Sequence, residues 1–193
     1  MKSLVQSALS EDWNKLPAVL QGHYRHGDLN EQGHMDVEYP RLMQIYLNVL
    51  RLSGALVNRR GKNLATSVEK FHKNGRQIWK RTIIYPDGKI VYFNSFLVSA
   101  GDNQLIEFVN PLLGLQMSVH ASDSMVHYSG VRFVVKLGSV LVPIPEWLVL
   151  GHTSIKESAI DESHYSMDFR LTHPIFGQIF RYSGVFKIDA GKG

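Results

Sequence analysis

Apolar residues recur at helical spacing in the first third of the chain and mainly at two-residue spacing from Leu64 onward. The strongest helical stripe is Leu42, Ile45, Tyr46, Val49 and Leu52, opened by Pro40 and widened by Met43, Leu47 and Leu50. So broad a face predicts a helix buried on more than one side, lying against or inside a curved sheet. Before it, Trp13, Leu16, Leu20 and His23 fall at helical spacing, with Asp12 as the expected N-cap and Pro17 in the first turn. His26 to Glu38, with two glycines and scattered acids, reads as a surface loop.

Turn signals then punctuate the two-residue pattern. Asn74-Gly75 predicts a type I′ hairpin between Leu64–Lys73 and Arg76–Tyr85, and Pro86-Asp87-Gly88 a second leading to Lys89–Val98. Further strands are expected at Leu105–Val109, Leu115–Ala121, Met125–Leu137, His152–Ile160, His164–Leu171 and Ile179–Ile188. The fold class is therefore α+β and mostly antiparallel β: about nine strands in a curved sheet, a barrel or half-barrel, with N-terminal helices packed against or inside it. One domain spans 1–193, helical over 1–62 and sheet over 63–188. Leu141 to Leu148 interrupts the sheet with Pro143 and Pro145, and its apolar turn around Trp147 is expected to plug a barrel end, with a membrane surface or a dimer contact as the other uses.

The predicted hairpins put Trp79, Arg81 and Ile83 on one face with Val91, Phe93 and Ser95, and this face is expected to point inward. An inward arginine needs a partner, and Glu107 is the nearest in sequence order; the alternative is an anchor for a ligand carboxylate or phosphate. On the closing strands, Tyr182 reads as a core phenol or a ligand donor. His23 reads as a helix C-terminal histidine or a ligand-space group.

Composition narrows the chemistry. With no cysteine among 193 residues, disulfides, thiolate catalysis and zinc–thiolate sites are excluded, and a cytoplasmic location is expected. The N-terminus is a poor signal peptide, and no apolar run approaches a transmembrane span. The excess of lysine and arginine, 21 against 17 acids, is small and dispersed, so no nucleic-acid partner is expected. Nucleotide, metalloprotease and hydrolase signatures such as GxGxxG, Walker A, HExxH and GxSxG are absent, and no cofactor or metal site is expected despite nine histidines.

Leu16-Pro17 followed by His23, Trp79-Lys80-Arg81 followed by Ser95-Phe96, then Glu107, Val142-Pro143-Ile144-Pro145, and Pro174-Ile175-Phe176-Gly177 leading to Tyr182-Ser183-Gly184 form an ordered set. This arrangement resembles a bacterial family, domain of unknown function 4166, from about Trp13 to Phe186. The resemblance implies stand-alone domains or C-terminal partners of saccharopine-dehydrogenase-like or short-chain-oxidoreductase-like proteins, hence an oxidoreductase partner, and a recurring set of His23, Trp79, Arg81, Glu107 and Tyr182. It implies no activity.

Three functions are compatible with this reading. The first is a binding module for a lipid-like or small apolar acid ligand, with His23, Trp79, Arg81, Phe93, Ser95, Glu107 and Tyr182 as candidate ligand-binding residues in a mainly apolar pocket. The second is an enzyme, or an accessory domain working with an oxidoreductase, using His23 or Glu107 as acid/base and Arg81 as anion anchor. The third is a structural or protein-interaction domain using Trp147. Catalytic residues and oligomeric state stay open.

Overall fold

The computed structural model describes residues 2–188, so Met1 and residues 189–193 of the expected single domain lie outside the described part. The strands are β1 (Leu29–Glu38), β2 (Gly61–Lys73), β3 (Arg76–Ile84), β4 (Ile90–Ser99), β5 (Gln104–Phe108), β6 (Leu113–Ser122), β7 (Met125–Leu137), β8 (Val140–Ile144), β9 (His152–Ala159), β10 (His164–His173) and β11 (Gly177–Ile188). Their spatial order is β6-β5-β4-β3-β2-β1-β11-β10-β9-β7-β8, and β6 also pairs with β7. That last pairing closes a ten-stranded antiparallel barrel and leaves β8 outside it, on β7. Closure removes the edges of the ten barrel strands, and β8 keeps one open edge.

The antiparallel order gives the barrel two unlike ends. At one end lie the turns around residues 74, 102, 123 and 161, together with α2 (Ala18–Tyr24), which runs into the start of β1. The preceding α1 (Leu4–Leu9), capped by the Ser3 side chain, packs against β4, β5 and β6. At the other end lie the turns around residues 87, 111, 138 and 175, with α3 (Gln44–Leu52) and α4 (Glu146–Val149). The Tyr46 hydroxyl donates to the Val149 carbonyl at 3.0 Å and ties these two helices together. Among the described residues, no helix is long and apolar enough to cross a membrane.

The predicted hairpins form as their turn chemistry requires. Asn74 and Gly75 both have positive φ, 51° and 70°, the type I′ geometry whose twist matches the flanking strands. The β3–β4 register sets Trp79 opposite Ser95, Arg81 opposite Phe93 and Ile83 opposite Val91, and all six side chains are buried in the barrel.

Four expectations need correction. His26–Glu38 is not a loop: it contains β1, which pairs with β2 and β11 and completes the barrel wall. The segment 1–62 is therefore not purely helical, and with β8 the strands number eleven among the described residues rather than about nine. The inward positions of β1 are Leu29, Glu31, Gly33, Met35 and Val37, and a buried carboxylate and a glycine interrupt the apolar alternation that marks a strand. Secondly, the broad stripe on α3 is not buried on several sides. Leu47 and the preceding Met43 are buried, whereas Leu42, Ile45, Val49 and Leu52 are exposed, because α3 lies across the barrel end rather than within it.

Thirdly, the Trp147 turn does not plug the barrel: Trp147 and Leu148 are about 60% exposed, at 61% and 60%. The group this turn sends inward is Glu146, which accepts from the Thr153 amide at 3.1 Å and contacts His152 Nδ1 at 2.8 Å. Finally, Asp12 does not cap a helix. It lies in a 3-10 segment, Ser10–Lys15, and pairs with Lys15, while Pro17 stands immediately before α2.

Candidate functional site

Strands β3, β4 and β5 bring Arg81, Ser95 and Glu107 together inside the barrel, because inward positions on adjacent antiparallel strands lie side by side. Arg81 Nη1 donates to Ser95 Oγ at 2.9 Å and Nη2 donates to Glu107 Oε1 at 3.1 Å. The Ser95 hydroxyl in turn donates to the same carboxylate oxygen at 2.6 Å. The guanidinium carbon lies 5.0 Å from the Trp79 ring centre and 5.1 Å from that of Phe93, so aromatic faces complete its surroundings. Arginine carries five N–H donors, and these two bonds leave part of that capacity for another acceptor.

A second charged cluster sits beside the first, towards the α2 end. Lys70 Nζ lies 2.7 Å from both Glu31 Oε1 and His23 Nδ1, and Nδ1 lies 2.8 Å from the same Glu31 oxygen. Tyr165 donates to Glu31 Oε2 at 2.7 Å, and the His23 carbonyl accepts from Lys70 at 3.1 Å. An ammonium N–H and an imidazolium N–H cannot face each other at such a distance, so Lys70 and His23 do not both hold a proton at that contact.

Burial works against the Glu31 carboxylate, but His23 and Lys70 outweigh it and hold its pKa at about 2. Burial pulls the Lys70 ammonium down to about 8, with Glu31 opposing and Arg81 adding to the shift. Burial also opposes charge on His23, yet Glu31 and Glu157 lift the histidine above its ordinary value.

Two internal cavities, each about 50 Å³, border these groups. The first is lined by Trp79, Arg81, Glu107, Tyr128, Glu157 and Tyr182 among other residues. Its Trp79 indole N–H and one Glu157 carboxylate oxygen have no hydrogen-bond partner. Burial raises the Tyr128 and Tyr182 pKa values, so both hydroxyls stay protonated and act as donors. The second cavity is almost wholly apolar and lies beneath α3 and α4, among Leu50, Leu56, Leu115, Phe133, Leu150 and Leu171. Phe93, Glu107 and Tyr182 line both, so they form the wall between an apolar space and a polar one.

Of the residues picked out in the sequence, Trp79, Arg81, Phe93, Glu107 and Tyr182 border the first cavity, and Ser95 is bonded to two of them. His23 does not line it; its Nε2 approaches the cavity-lining Glu157 at 3.5 Å. Glu31, Lys70, Tyr128, Glu157 and Tyr165 were not among the sequence candidates. Lys70 carried a usable signal, since it shares its strand face with Leu64, Thr66 and Val68, where a lysine demands a buried partner. Its partner Glu31 lay in the segment misread as a loop.

A family model described as a domain of unknown function, DUF4166, matches residues 16–186. Comparison with curated proteins finds no match.

Proposed function

The chain belongs to the DUF4166 family, and from that premise and the barrel interior we propose that it is a small-molecule-binding module for a lipid-like or small apolar acid ligand. The observation that carries this reading is the adjacency of the two cavities, separated by the side chains of Phe93, Glu107 and Tyr182. An amphiphile suits such a pair of spaces: its apolar body lies beneath α3 and α4, and its acceptor head faces Arg81, Tyr128 and Tyr182. Arg81 and the protonated phenols offer hydrogen bonds to such a head, and because Glu107 and Glu157 line the same cavity an acid binds there in its neutral form.

Ligand pockets usually occupy roughly 300–1,000 Å³, whereas each cavity here is about 50 Å³, enough for water or a few carbon atoms. Ligand entry therefore requires α3 and α4 to move apart. Both are short and rest on few buried side chains, so they are the parts of the wall that open at least cost.

Native mass spectrometry of the purified protein, with decanoate as a defined probe, tests this reading. The expected result is a bound acid on the parent protein and its loss in Leu115→Trp, which fills the apolar cavity. If the parent holds no co-purified ligand and does not bind decanoate, the reading is wrong.

A further inference from the structure

The large apolar side chains left exposed are not scattered evenly over the barrel. Among the described residues Ile160 alone sits in the turns of the α2 end, whereas Leu42, Ile45, Leu52, Leu141, Trp147 and Phe176 are among many that project from the α3 end. They come from four separate places in the chain: α3 with the 3-10 turn Arg41–Met43 before it, the β7–β8 hairpin, α4 and the β10–β11 turn. His173 Nε2 meets the Trp147 carbonyl at 3.1 Å, and the Tyr46–Val149 bond joins α3 to α4, so these elements form one rim. Large apolar side chains gathered at one end of a molecule mark an interaction surface more often than the same side chains scattered singly.

Charge divides in the same direction. Arg41, Arg51, Arg60, Lys62, Lys89 and Lys136 surround the apolar rim, and among the described residues none forms a salt bridge. Of the nearby acids, Asp87 pairs with Arg59 at 2.8 Å and Glu38 with Arg181 at 3.3 Å, Glu146 is buried, and Asp36 accepts from the Asn63 amide. At the opposite end Asp28, Asp102, Asp123 and Glu162 are exposed alongside Arg25, Lys73 and Arg76, so acids and bases there are mixed. The molecule thus carries an apolar, cationic face at one end and turns of mixed charge at the other.

We propose that the α3 end docks on an anionic lipid surface. Separate apolar tips suit insertion between headgroups, with the surrounding cations against lipid phosphates and carboxylates. A second copy of the chain is a poorer occupant, because two such rims would press unpaired cations together. The proposal rests on the surface of the molecule and is independent of what the barrel holds.

Trp147 supplies the readout. The other two tryptophans, Trp13 and Trp79, are buried, so a shift in emission on adding vesicles reports mainly on the rim. Vesicles containing phosphatidylserine should shift the emission to the blue and sediment with the protein, whereas pure phosphatidylcholine vesicles should do so far more weakly. Arg41→Glu combined with Lys136→Glu should weaken binding by about tenfold or more, since each basic residue near such a surface contributes appreciably. Leu52→Asp and Phe176→Asp should weaken it as well, and circular dichroism of these exposed-site variants should match that of the parent.

Equal binding to neutral and anionic vesicles would overturn the proposal, as would no binding to either. A parent dimer that Leu52→Asp converts to monomer would assign the rim to a second copy instead. A protein that binds anionic vesicles but not decanoate keeps this inference and loses the ligand reading.

Discussion

Lys70→Met is expected to lower the unfolding free energy by about 3–5 kcal/mol, because it leaves the Glu31 carboxylate charged and without its nearest cation in the barrel interior. Both side chains are essentially inaccessible, so water cannot replace the lost partner. Combining Lys70→Met with Glu31→Leu should recover the larger part of the loss, since replacing both members of a buried pair by apolar groups removes the desolvation problem. Tyr165 would still lose its acceptor, so recovery should stop short of the parent. Urea denaturation of the two single variants, the double variant and the parent measures this cycle. A cost below about 1 kcal/mol for Lys70→Met would mean that the pair behaves like a solvated surface bridge.

The same cluster predicts an acid dependence. The Glu31 pKa falls from 4.5 to about 2 on folding, so its contribution is fully present above the unfolded value and is lost as pH drops from about 4.5 towards 2. Stability of the parent should decline more steeply through that window than stability of Glu31→Gln. Parallel profiles would show that another carboxylate governs the acid transition.

Gly33→Ala should cost about 3 kcal/mol through a different cause. A β-carbon at Gly33 would lie 2.1 Å from the Val185 carbonyl oxygen and 2.8 Å from the Phe186 α-carbon, both backbone atoms on the paired strand β11. A flexible side chain could swing away from such a contact; a hydrogen-bonded strand cannot. The same seam holds Gly184, where a β-carbon would meet the His34 carbonyl at 2.5 Å, so β1 and β11 approach each other closely through two glycines. Gly22 in α2 is the control: its nearest neighbour would be Ile188 Cδ1 at 3.7 Å, and alanine there should stabilise the helix by up to about 1 kcal/mol. Equal urea midpoints for the two alanine variants would rule out a steric demand at the β1–β11 seam.

The barrel and its first polar cluster were largely legible because they follow local rules. Asn74-Gly75 set a turn type, the turn set a register, and the register put Trp79, Arg81, Phe93 and Ser95 on one inward face. Glu107 followed from the need of a buried guanidinium for a carboxylate. The second cluster escaped because its members come from α2, β1, β2, β9 and β10, elements far apart in the chain. Glu31 made β1 look like a loop, since a charged inward position contradicts the alternation by which strands are found. Its partners Lys70, His23 and Tyr165 could justify that charge only after the chain had closed.

The α3 stripe failed in the opposite direction. An apolar helical face predicts burial against something, and the pattern is the same whether the covering surface belongs to the protein or to a partner. Leu42, Ile45, Val49 and Leu52 therefore looked like core and turned out to be rim.

By itself, the sequence determined the antiparallel meander, its turn positions, the inward face of β3 and β4, and the exclusion of cysteine chemistry, because each depends on residues adjacent or nearly adjacent along the chain. Only the tertiary structure decided that β1 closes the wall, that His23 joins Glu31 and Lys70 rather than the cavity, and that the apolar helix lies across an open end. Those outcomes depend on which distant segments come within a few ångströms of one another. Buried charges are tolerated, and apolar faces are covered or left bare, only according to what that closure brings beside them.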